Sequence, residues 1–376
     1  MRGLVHPGAA GKILPRFYPA ERHRGHKKAH LPWIMAHVPD WAESFGDAFG
    51  GSGIVGWHAK THGLRIITND IMAFAHLRAK AVIVNGAVRL HGRDLDILAE
   101  PNPSRAHIAE EWYADAMGAA SASWLDNLAA NLPKLGDPVK QDVAAYTAIA
   151  TLMARMNYSQ VRFTTEHRFA GKRYLDGFDW CREFREHALN AFPPILHDNG
   201  MANEACRGDA LEFVRSHRFD CLYLDPPFVG ASRYEQDLGF YDKLVMLLTG
   251  RHGDIGDPFN GPVPLPPHTN FSNRSKGLMG LALLFRAATH VPRIILSYNT
   301  TSGIHPDEIA RDGERIYGRL VVREERTALL PTARADRPRE TKDVLLVFNR
   351  HPSPKDSMPI VTPPCDQSLL PVTVLR

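Results

Sequence analysis

Short apolar runs alternate with helical patterns along much of this 376-residue chain, and the alternation indicates an α/β fold with an open sheet. Ser44–Phe49 and Leu64–Thr68 have strand-like patterns, and Ile54–His62 between them places apolar residues at helical spacing. These three segments predict a β–loop–α–β unit. Further apolar runs predict a buried strand at Cys221–Leu224 and a later strand at Arg293–Leu296. They also predict a closing hairpin formed by Leu320–Arg326 and Asp343–Asn349.

The alternation of strands and helices is interrupted between residues 87 and 185. This interval has mainly helical patterns and then becomes polar, basic and aromatic. Basic residues interleaved with aromatic rings suit contacts to phosphates and bases, and the candidates are Arg162, Arg168, Lys172 and Arg173. A helical subdomain with an ordinary polar surface is the alternative. We therefore expect a discontinuous main domain (1–86 and 186–350), an inserted subdomain (87–185) and a peripheral tail (351–376).

The stretch that ends in Asp225-Pro226-Pro227-Phe228 carries the strongest chemical signal. The apolar run before it suits a strand that is covered on both faces. The two prolines cannot continue a strand ladder, so they leave a stiff projection with one carboxylate, the Pro226 carbonyl and one aromatic ring. Ligands of open α/β sheets bind beyond the carboxyl ends of the strands. The alternative is a strand that ends in an ordinary proline turn.

A glycine loop, Gly50-Gly51-Ser52-Gly53, separates the first predicted strand from the first predicted helix. Glycines let the backbone pass close to a ligand, and Asp70 at the end of the next strand is placed to accept hydrogen bonds from ribose hydroxyls. The pattern indicates a nucleoside-type cofactor, without choosing between NAD and S-adenosylmethionine. Asp209 precedes another predicted helix, where it either caps that helix or accepts a hydrogen bond from a bound adenine.

Composition narrows the classes of protein. Hydrophobic residues make up 44% and charged residues 23%, which is typical of a globular chain. The chain contains no run of 18 apolar residues and no apolar secretion signal, so we expect no membrane span. The four scattered cysteines argue against a zinc cluster or a disulfide framework and favour the cytoplasm. The net charge of +4 is concentrated in basic stretches, which suits either a nucleic-acid partner or solvated surface.

Several motifs occur in one order that resembles the Dam-like DNA adenine-N6 methyltransferases: Asp47–Gly53, Asn69-Asp70, Gly208–Leu211, Asp225–Phe228 and Ser297–Asn299. In that family the glycine motif precedes the Asp-Pro-Pro-aromatic motif, and a target-recognition domain is inserted between them. The resemblance implies a Rossmann-like sheet that uses S-adenosyl-L-methionine. It also implies cofactor contacts from Phe49, Gly51, Gly53, Asp70 and Asp209. This chain departs from the family pattern at Ala48 (often proline) and Phe228 (often tyrosine), and its Lys27 and Lys28 only loosely match the N-terminal lysine motif.

The resemblance also implies a reaction, in which methyl passes to the N6 amino group of an adenine flipped out of double-stranded DNA. Its catalytic residues would be Asp225, Pro226, Pro227 and Phe228, with Tyr298 on the substrate side. We expect a monomer, and a cognate restriction endonuclease is a candidate partner. The alternatives are a methyltransferase of RNA adenine or of another amino group, and an inactive DNA-binding relative. An NAD-dependent oxidoreductase would leave the Asp225–Phe228 motif unexplained.

Overall fold

The structure is a computed structural model, and it describes residues 27–104, 108, 118–155, 179–229, 234–250, 271, 273–330 and 339–350. A seven-stranded sheet forms its centre, with the strand order β3-β2-β1-β4-β5-β7-β6. Strands β1 to β5 are parallel to one another, whereas β7 runs antiparallel to both β5 and β6. The strands are β1 (Ser44–Asp47), β2 (Arg65–Asp70), β3 (Glu204–Arg207), β4 (Cys221–Leu224), β5 (Arg293–Asn299), β6 (Gly318–Leu330) and β7 (Arg339–Arg350).

Helices cover both faces of the sheet. In chain order they are α1 (Leu31–Met35), α2 (Ile54–Thr61), α3 (Ala73–Ala79), α4 (Gly92–Ala99), α5 (Ala119–Asn131), α6 (Pro138–Arg155), α7 (Trp180–Glu186), α8 (Ala210–Ser216), α9 (Tyr234–Thr249), α10 (Arg274–Ala287) and α11 (Pro306–Ile316). A π-helical turn continues α3 (Lys80–Val84), and another continues α7 (His187–Ala191). This arrangement confirms the predicted Rossmann-like α/β fold.

Strand β4 shows why the sheet needs two helical layers. All four of its residues are buried. Cys221 and Tyr223 belong to one apolar cluster, and Leu222 and Leu224 belong to a second cluster on the opposite face. Successive side chains of a strand point to opposite faces, so a wholly apolar strand is stable only between two covering layers. The predicted two-sided burial of this strand is therefore confirmed.

The described part of the 87–185 interval is helical and packs onto one face of the sheet. Leu128 in α5 and Ile149 in α6 lie in the same apolar cluster as Phe45 in β1 and Cys221 in β4. The interval therefore shares its core with the sheet, through side chains that are fully buried. The exact division of the chain into domains stays a prediction. The proposed tail, 351–376, lies outside the described residues.

Three local features differ from the sequence-based expectations. Strand β3 (Glu204–Arg207) was not predicted, because only two of its four residues are buried and its apolar signal is weak. Helix α11 was also missed, although His305 caps it and Pro306 occupies its first turn. Helix α9 begins at Tyr234, whereas the helical pattern of this segment in the sequence begins only at Tyr241.

Two of the described cysteines, Cys181 and Cys221, are free thiols, whereas Cys206 is disulfide-bonded. A single bonded cysteine is not a disulfide framework, so the expectation drawn from the scattered cysteines stays a prediction. Within the described ranges, no helix has both the length and the apolar character needed to cross a membrane.

Candidate active site

The glycine loop and the Asp225 motif meet where the strand order reverses. Strands β1 and β4 are hydrogen-bonded neighbours, and Asp47 at the end of β1 lies opposite Tyr223. The amide of Ala48 donates to the Tyr223 carbonyl at 3.2 Å, so both chains leave the sheet side by side. From β1 the chain continues to β2 and β3 on one side, and from β4 it continues to β5 on the other. Such a reversal opens a crevice at the carboxyl ends of the strands, where ligands of α/β sheets bind.

The glycine loop folds tightly over the end of β2. Gly51 and Gly53 have φ values of 48° and 71°, in the left-handed region that glycine tolerates best. Gly50 donates to the carbonyl of Asn69 at 2.8 Å, and a Cβ at this position would lie 2.6 Å from the Thr68 hydroxyl. Gly53 then forms the N-cap of α2. The glycines are thus required by backbone conformation at Gly51 and Gly53 and by close packing at Gly50.

The carboxylate of Asp70 connects the glycine loop to the end of β2. One oxygen accepts from the Gly51 amide at 2.7 Å, and the other accepts from the Met72 amide at 2.8 Å. Burial raises the pKa of Asp70 above its ordinary value, and these two bonds and the Arg78 charge oppose that shift. Each carboxylate oxygen has two lone pairs, so either can still accept a hydroxyl group. The role in ribose binding stays a prediction.

Asp209 and Phe49 flank the same crevice. The Asp209 side chain accepts a hydrogen bond from the Leu211 amide at 2.6 Å, so it caps α8. This confirms the first of the two alternatives predicted for Asp209. The adjoining Gly208 donates to the carbonyl of Asp70 at 3.2 Å, which places α8 next to β2. Phe49 meets the ring of Phe271 edge-on, with 5.8 Å between the centroids. The two residues therefore lie near the loop, and their contacts to a cofactor stay predictions.

The Asp225 carboxylate lies just beyond β4 and is held on both oxygens. Oδ1 accepts a hydrogen bond from the Ser297 hydroxyl at 2.7 Å. Oδ2 forms an ion pair with the Lys27 ammonium group at 2.6 Å, and the two side chains are only 18% and 13% exposed. The Lys27 nitrogen also lies 5.6 Å from the centre of the Phe228 ring. The Lys27 ammonium group thus lies close to both the Asp225 carboxylate and the Phe228 ring.

Phe228 is supported from beneath by Tyr298. Their rings are 5.2 Å apart at an interplanar angle of 73°, an edge-to-face contact. Tyr298 is 1% exposed, and its hydroxyl accepts a hydrogen bond from Ser302 at 2.7 Å. The structure therefore places Tyr298 behind the ring that would meet a base, and its predicted role on the substrate side stays a prediction.

The comparison with known proteins agrees with this geometry. The model of the D12 class N6 adenine-specific DNA methyltransferases matches residues 23–244, which is more than half of the chain and includes both motifs. The chain belongs to this family. It is also similar to the type II methyltransferase M2.HphI of Haemophilus parahaemolyticus, with 25% identity over 346 residues, which are 89% of this chain and 98% of that protein. The chain is therefore an N6 adenine-specific DNA methyltransferase, and its predicted family and reaction class are confirmed.

Helix α1 and the turn before it belong to the site of this methyltransferase. Lys27 precedes the short helical turn Lys28–His30, which leads into α1, and His30 pairs with Asp343 of β7 at 3.0 Å. Trp33 is buried and donates its indole N–H to Glu324 of β6. These contacts fix α1 against the antiparallel part of the sheet and bring Lys27 to Asp225. Sequence reasoning noted Lys27 only as a loose match, because the lysine lies almost two hundred residues before the carboxylate that it contacts.

Two buried ionisable residues near the glycine loop were missed or left without a role. Arg78 of α3 is fully buried, donates to the Gly51 carbonyl at 3.0 Å and stacks on Phe74. Because Arg78 lies within an apolar helical pattern, no local signal indicated its contact with the glycine loop. Asp47 is 1% exposed, and its Oδ1 has no hydrogen-bond partner among the described residues. Burial, followed by the nearby Asp225 charge, raises the pKa of Asp47 to about 8.

The predicted DNA-contacting residues of the insertion cannot be placed. These candidates are Arg162, Arg168, Lys172 and Arg173. All four lie between positions 156 and 178, which are outside the described residues.

Proposed function

We propose that this methyltransferase transfers the methyl group of S-adenosyl-L-methionine to N6 of an adenine that has been flipped out of double-stranded DNA. One observation carries the proposal: the glycine loop after β1 and the Asp225 motif after β4 leave adjacent strands at the reversal of the strand order. A cofactor held by one and an amino group held by the other would meet in a single crevice.

The residues of the glycine loop fit a nucleoside cofactor. The loop has positive φ at Gly51 and Gly53, and Gly50 packs against the end of β2, where a side chain would meet the Thr68 hydroxyl. We infer that the loop and Phe49 contact the cofactor, that Asp70 holds its ribose and that Asp209 accepts from its adenine. S-adenosyl-L-methionine supplies an electrophilic methyl group on a positively charged sulfur. The main contribution of the loop would be to position the bound donor.

Asp225 and the Pro226 carbonyl would bind the amino group of the target adenine. The lone pair of that nitrogen is delocalised into the ring, so the group is a poor nucleophile. Two acceptors that receive hydrogen bonds from its two N–H groups favour a more tetrahedral nitrogen, and they stabilise the positive charge that develops there as the N–CH3 bond forms and the S–CH3 bond breaks. The reaction then releases S-adenosyl-L-homocysteine and one proton from the nitrogen. The ion pair with Lys27 and the hydrogen bond from Ser297 hold the Asp225 carboxylate in place as an acceptor.

Phe228 would stack on the flipped base. An adenine inside a duplex cannot reach this crevice, so the base must leave the helix. The edge-to-face contact with Tyr298 holds the ring of Phe228 in place. Stacking uses the face of the ring and needs no hydroxyl group, so phenylalanine in place of the more frequent tyrosine fits the same role.

We also infer how the rest of the chain serves the reaction. The inserted interval, 87–185, would recognise the target sequence, and Arg162, Arg168, Lys172 and Arg173 would contact phosphates and bases. Tyr298 would complete the substrate side. The similarity to a protein named as a type II methyltransferase supports a cognate restriction endonuclease as partner and a modification role for this chain. The enzyme would act as a monomer in the cytoplasm.

The test is methyl transfer from labelled S-adenosyl-L-methionine to duplex DNA, to the same DNA without adenine, and to RNA. We expect labelling of adenine-containing duplex only, with N6-methyladenine in the hydrolysed product. Asp225→Asn should lower the rate by about 10²–10³-fold, because it removes a charged acceptor from the reacting nitrogen. Asp96→Asn, a surface change at a residue that pairs with Arg185, is the matched control. Robust transfer by Asp225→Asn, or labelling of RNA instead of DNA, would refute the proposal.

A further inference from the structure

The Asp225 carboxylate is attached to the interior of the sheet by a chain of two hydroxyl groups. The Tyr223 hydroxyl lies 2.9 Å from the Ser297 hydroxyl oxygen, which lies 2.7 Å from Oδ1 of Asp225. Tyr223 is 1% exposed and Ser297 is 6% exposed. The three residues come from β4, from β5 and from the turn after β4, so the parallel register of the two strands creates the chain.

The direction of these hydrogen bonds follows from the carboxylate. An ionised carboxylate can only accept, so Ser297 must give its single proton to Asp225. The Ser297 oxygen can then only accept from Tyr223. Burial, reinforced by the Asp225 charge, raises the pKa of Tyr223 well above its ordinary value, so this phenol keeps the proton that it donates. The hydroxyl protons of Tyr223 and Ser297 therefore both point toward Asp225.

A chain of this direction orients the carboxylate and does not carry protons away from it. To leave along this hydrogen-bond chain, a proton on Asp225 would have to move through Ser297 to Tyr223, whose oxygen is already protonated. Tyr223 is packed in the core beside Phe45, at 6.3 Å between ring centroids, so it has no exposed surface from which to release a proton. The chain of hydrogen bonds thus ends in the interior of the sheet.

The two carboxylate oxygens consequently have different tasks. Oδ1 is directed toward β5, where Ser297 holds it. Oδ2 is directed toward Lys27, whose nitrogen lies 5.6 Å from the centre of the Phe228 ring. Of the two oxygens, Oδ2 therefore lies on the side of the Lys27 ammonium group, which itself lies near the Phe228 ring.

We propose that Ser297 is a positioning residue for methyl transfer. Resting on the proposed function, its hydroxyl group turns the Asp225 carboxylate so that Oδ2 faces the N6 amino group of the stacked adenine. Without that bond the carboxylate could rotate about its terminal torsion, which has a broad and shallow energy profile. Ser297 would thus act on the rate of the chemical step through Asp225, without touching DNA or cofactor itself.

The test compares Ser297→Ala with Ser297→Thr, which retains a hydroxyl group on a β-branched side chain suited to a strand. We expect Ser297→Ala to lower kcat by about 10- to 100-fold, the range for losing a hydrogen bond to a charged group. The KM values for DNA and for S-adenosyl-L-methionine should stay within about twofold, because binding contacts are retained. Ser297→Thr should restore most of the lost rate.

Two further variants separate positioning from stability. Tyr223→Phe removes only the far donor and should lower kcat by about threefold, since Ser297 can still donate. Ser216→Ala removes a hydroxyl group that bonds only its own helix, to the Glu212 carbonyl, and should leave kcat unchanged. Thermal unfolding of each variant shows whether the fold is retained.

The outcomes distinguish this inference from the proposed function. If the wild-type protein does not methylate adenine, or Asp225→Asn remains active, then the function itself is wrong. If Asp225 is required but Ser297→Ala and Tyr223→Phe both keep the wild-type kcat, only the role of Ser297 is overturned. A loss of thermal stability in Ser297→Ala, with unchanged kcat in the protein that remains folded, would also overturn it.

Discussion

Asp47 offers a sharp test of the electrostatics beneath the glycine loop. Its side chain is 1% exposed at the end of β1, and the pKa of this carboxyl group is raised from 3.8 to about 8. Loss of hydration is the main cause, and the charges of Asp225 and Asp70 act in the same direction, whereas bonds from the Phe49 and Gly56 amides oppose it. At neutral pH the folded protein therefore keeps this acid protonated.

The sign of the effect on stability follows from proton release. Between pH 4 and pH 8 the unfolded chain has an ionised Asp47 and the folded protein has a neutral one, so unfolding releases a proton. The contribution of this residue to the free energy of unfolding then falls by about 1.4 kcal/mol per pH unit across that window. At pH 8 the accumulated loss is on the order of 5 kcal/mol.

Asp47→Asn removes the titration and keeps an oxygen that can accept from the same backbone amides. We expect the variant and the wild-type protein to have similar stability near pH 4. The variant should become progressively more stable relative to wild type as the pH rises, by several kcal/mol at pH 8. The measurement is urea unfolding from pH 4.5 to pH 8.5 without cofactor, with the free energies obtained by linear extrapolation.

Asp242 provides a matched control, because it is another buried acid with a smaller shift. Burial raises its pKa to about 6, and the charge of Arg207 opposes the shift. The gap between Asp242→Asn and wild type should therefore open between pH 4 and pH 6 and then remain constant. A pH-independent gap for Asp47→Asn, or an Asp47→Asn protein less stable than wild type at pH 8, would refute this account of Asp47.

Two further predictions concern the two halves of the site. Phe228→Tyr should keep kcat/KM for DNA within a few-fold, whereas Phe228→Leu should lower it by about 10- to 100-fold, since base stacking contributes roughly 1–3 kcal/mol; equal values for the two variants would contradict stacking. Gly53→Ala forces alanine to a φ of 71° at the start of α2, so we expect about 1–2 kcal/mol less stability and weaker binding of S-adenosyl-L-methionine by titration calorimetry. Gly63→Ala imposes similar strain, at a φ of 86°, in open space after α2, and it should lower stability without changing that affinity; a matching affinity loss would show that Gly53 acts through stability alone.

Part of the site could be predicted from sequence because the relevant constraints are local. A proline has no N–H to donate, so Pro226 and Pro227 mark the end of β4 wherever the strand lies. Glycine alone adopts positive φ readily, so the loop at Gly51 and Gly53 could be recognised without knowing its surroundings. The four apolar residues of β4 likewise indicated a covered strand, because they are adjacent in the chain. By contrast, the short strand β3 has too few apolar residues to be distinguished from a turn.

The sequence by itself determined the α/β class, the two motifs and the order in which they occur, because these depend on residues that are adjacent in the chain. Only the tertiary structure decided which residues surround Asp225. Ser297 lies 72 residues after it and Lys27 lies in the N-terminal segment, and both reach the carboxylate through strand order and helix packing. Arg78 reaches Gly51 across 27 residues in the same way. Such contacts depend on which elements become neighbours, a property that no local pattern contains.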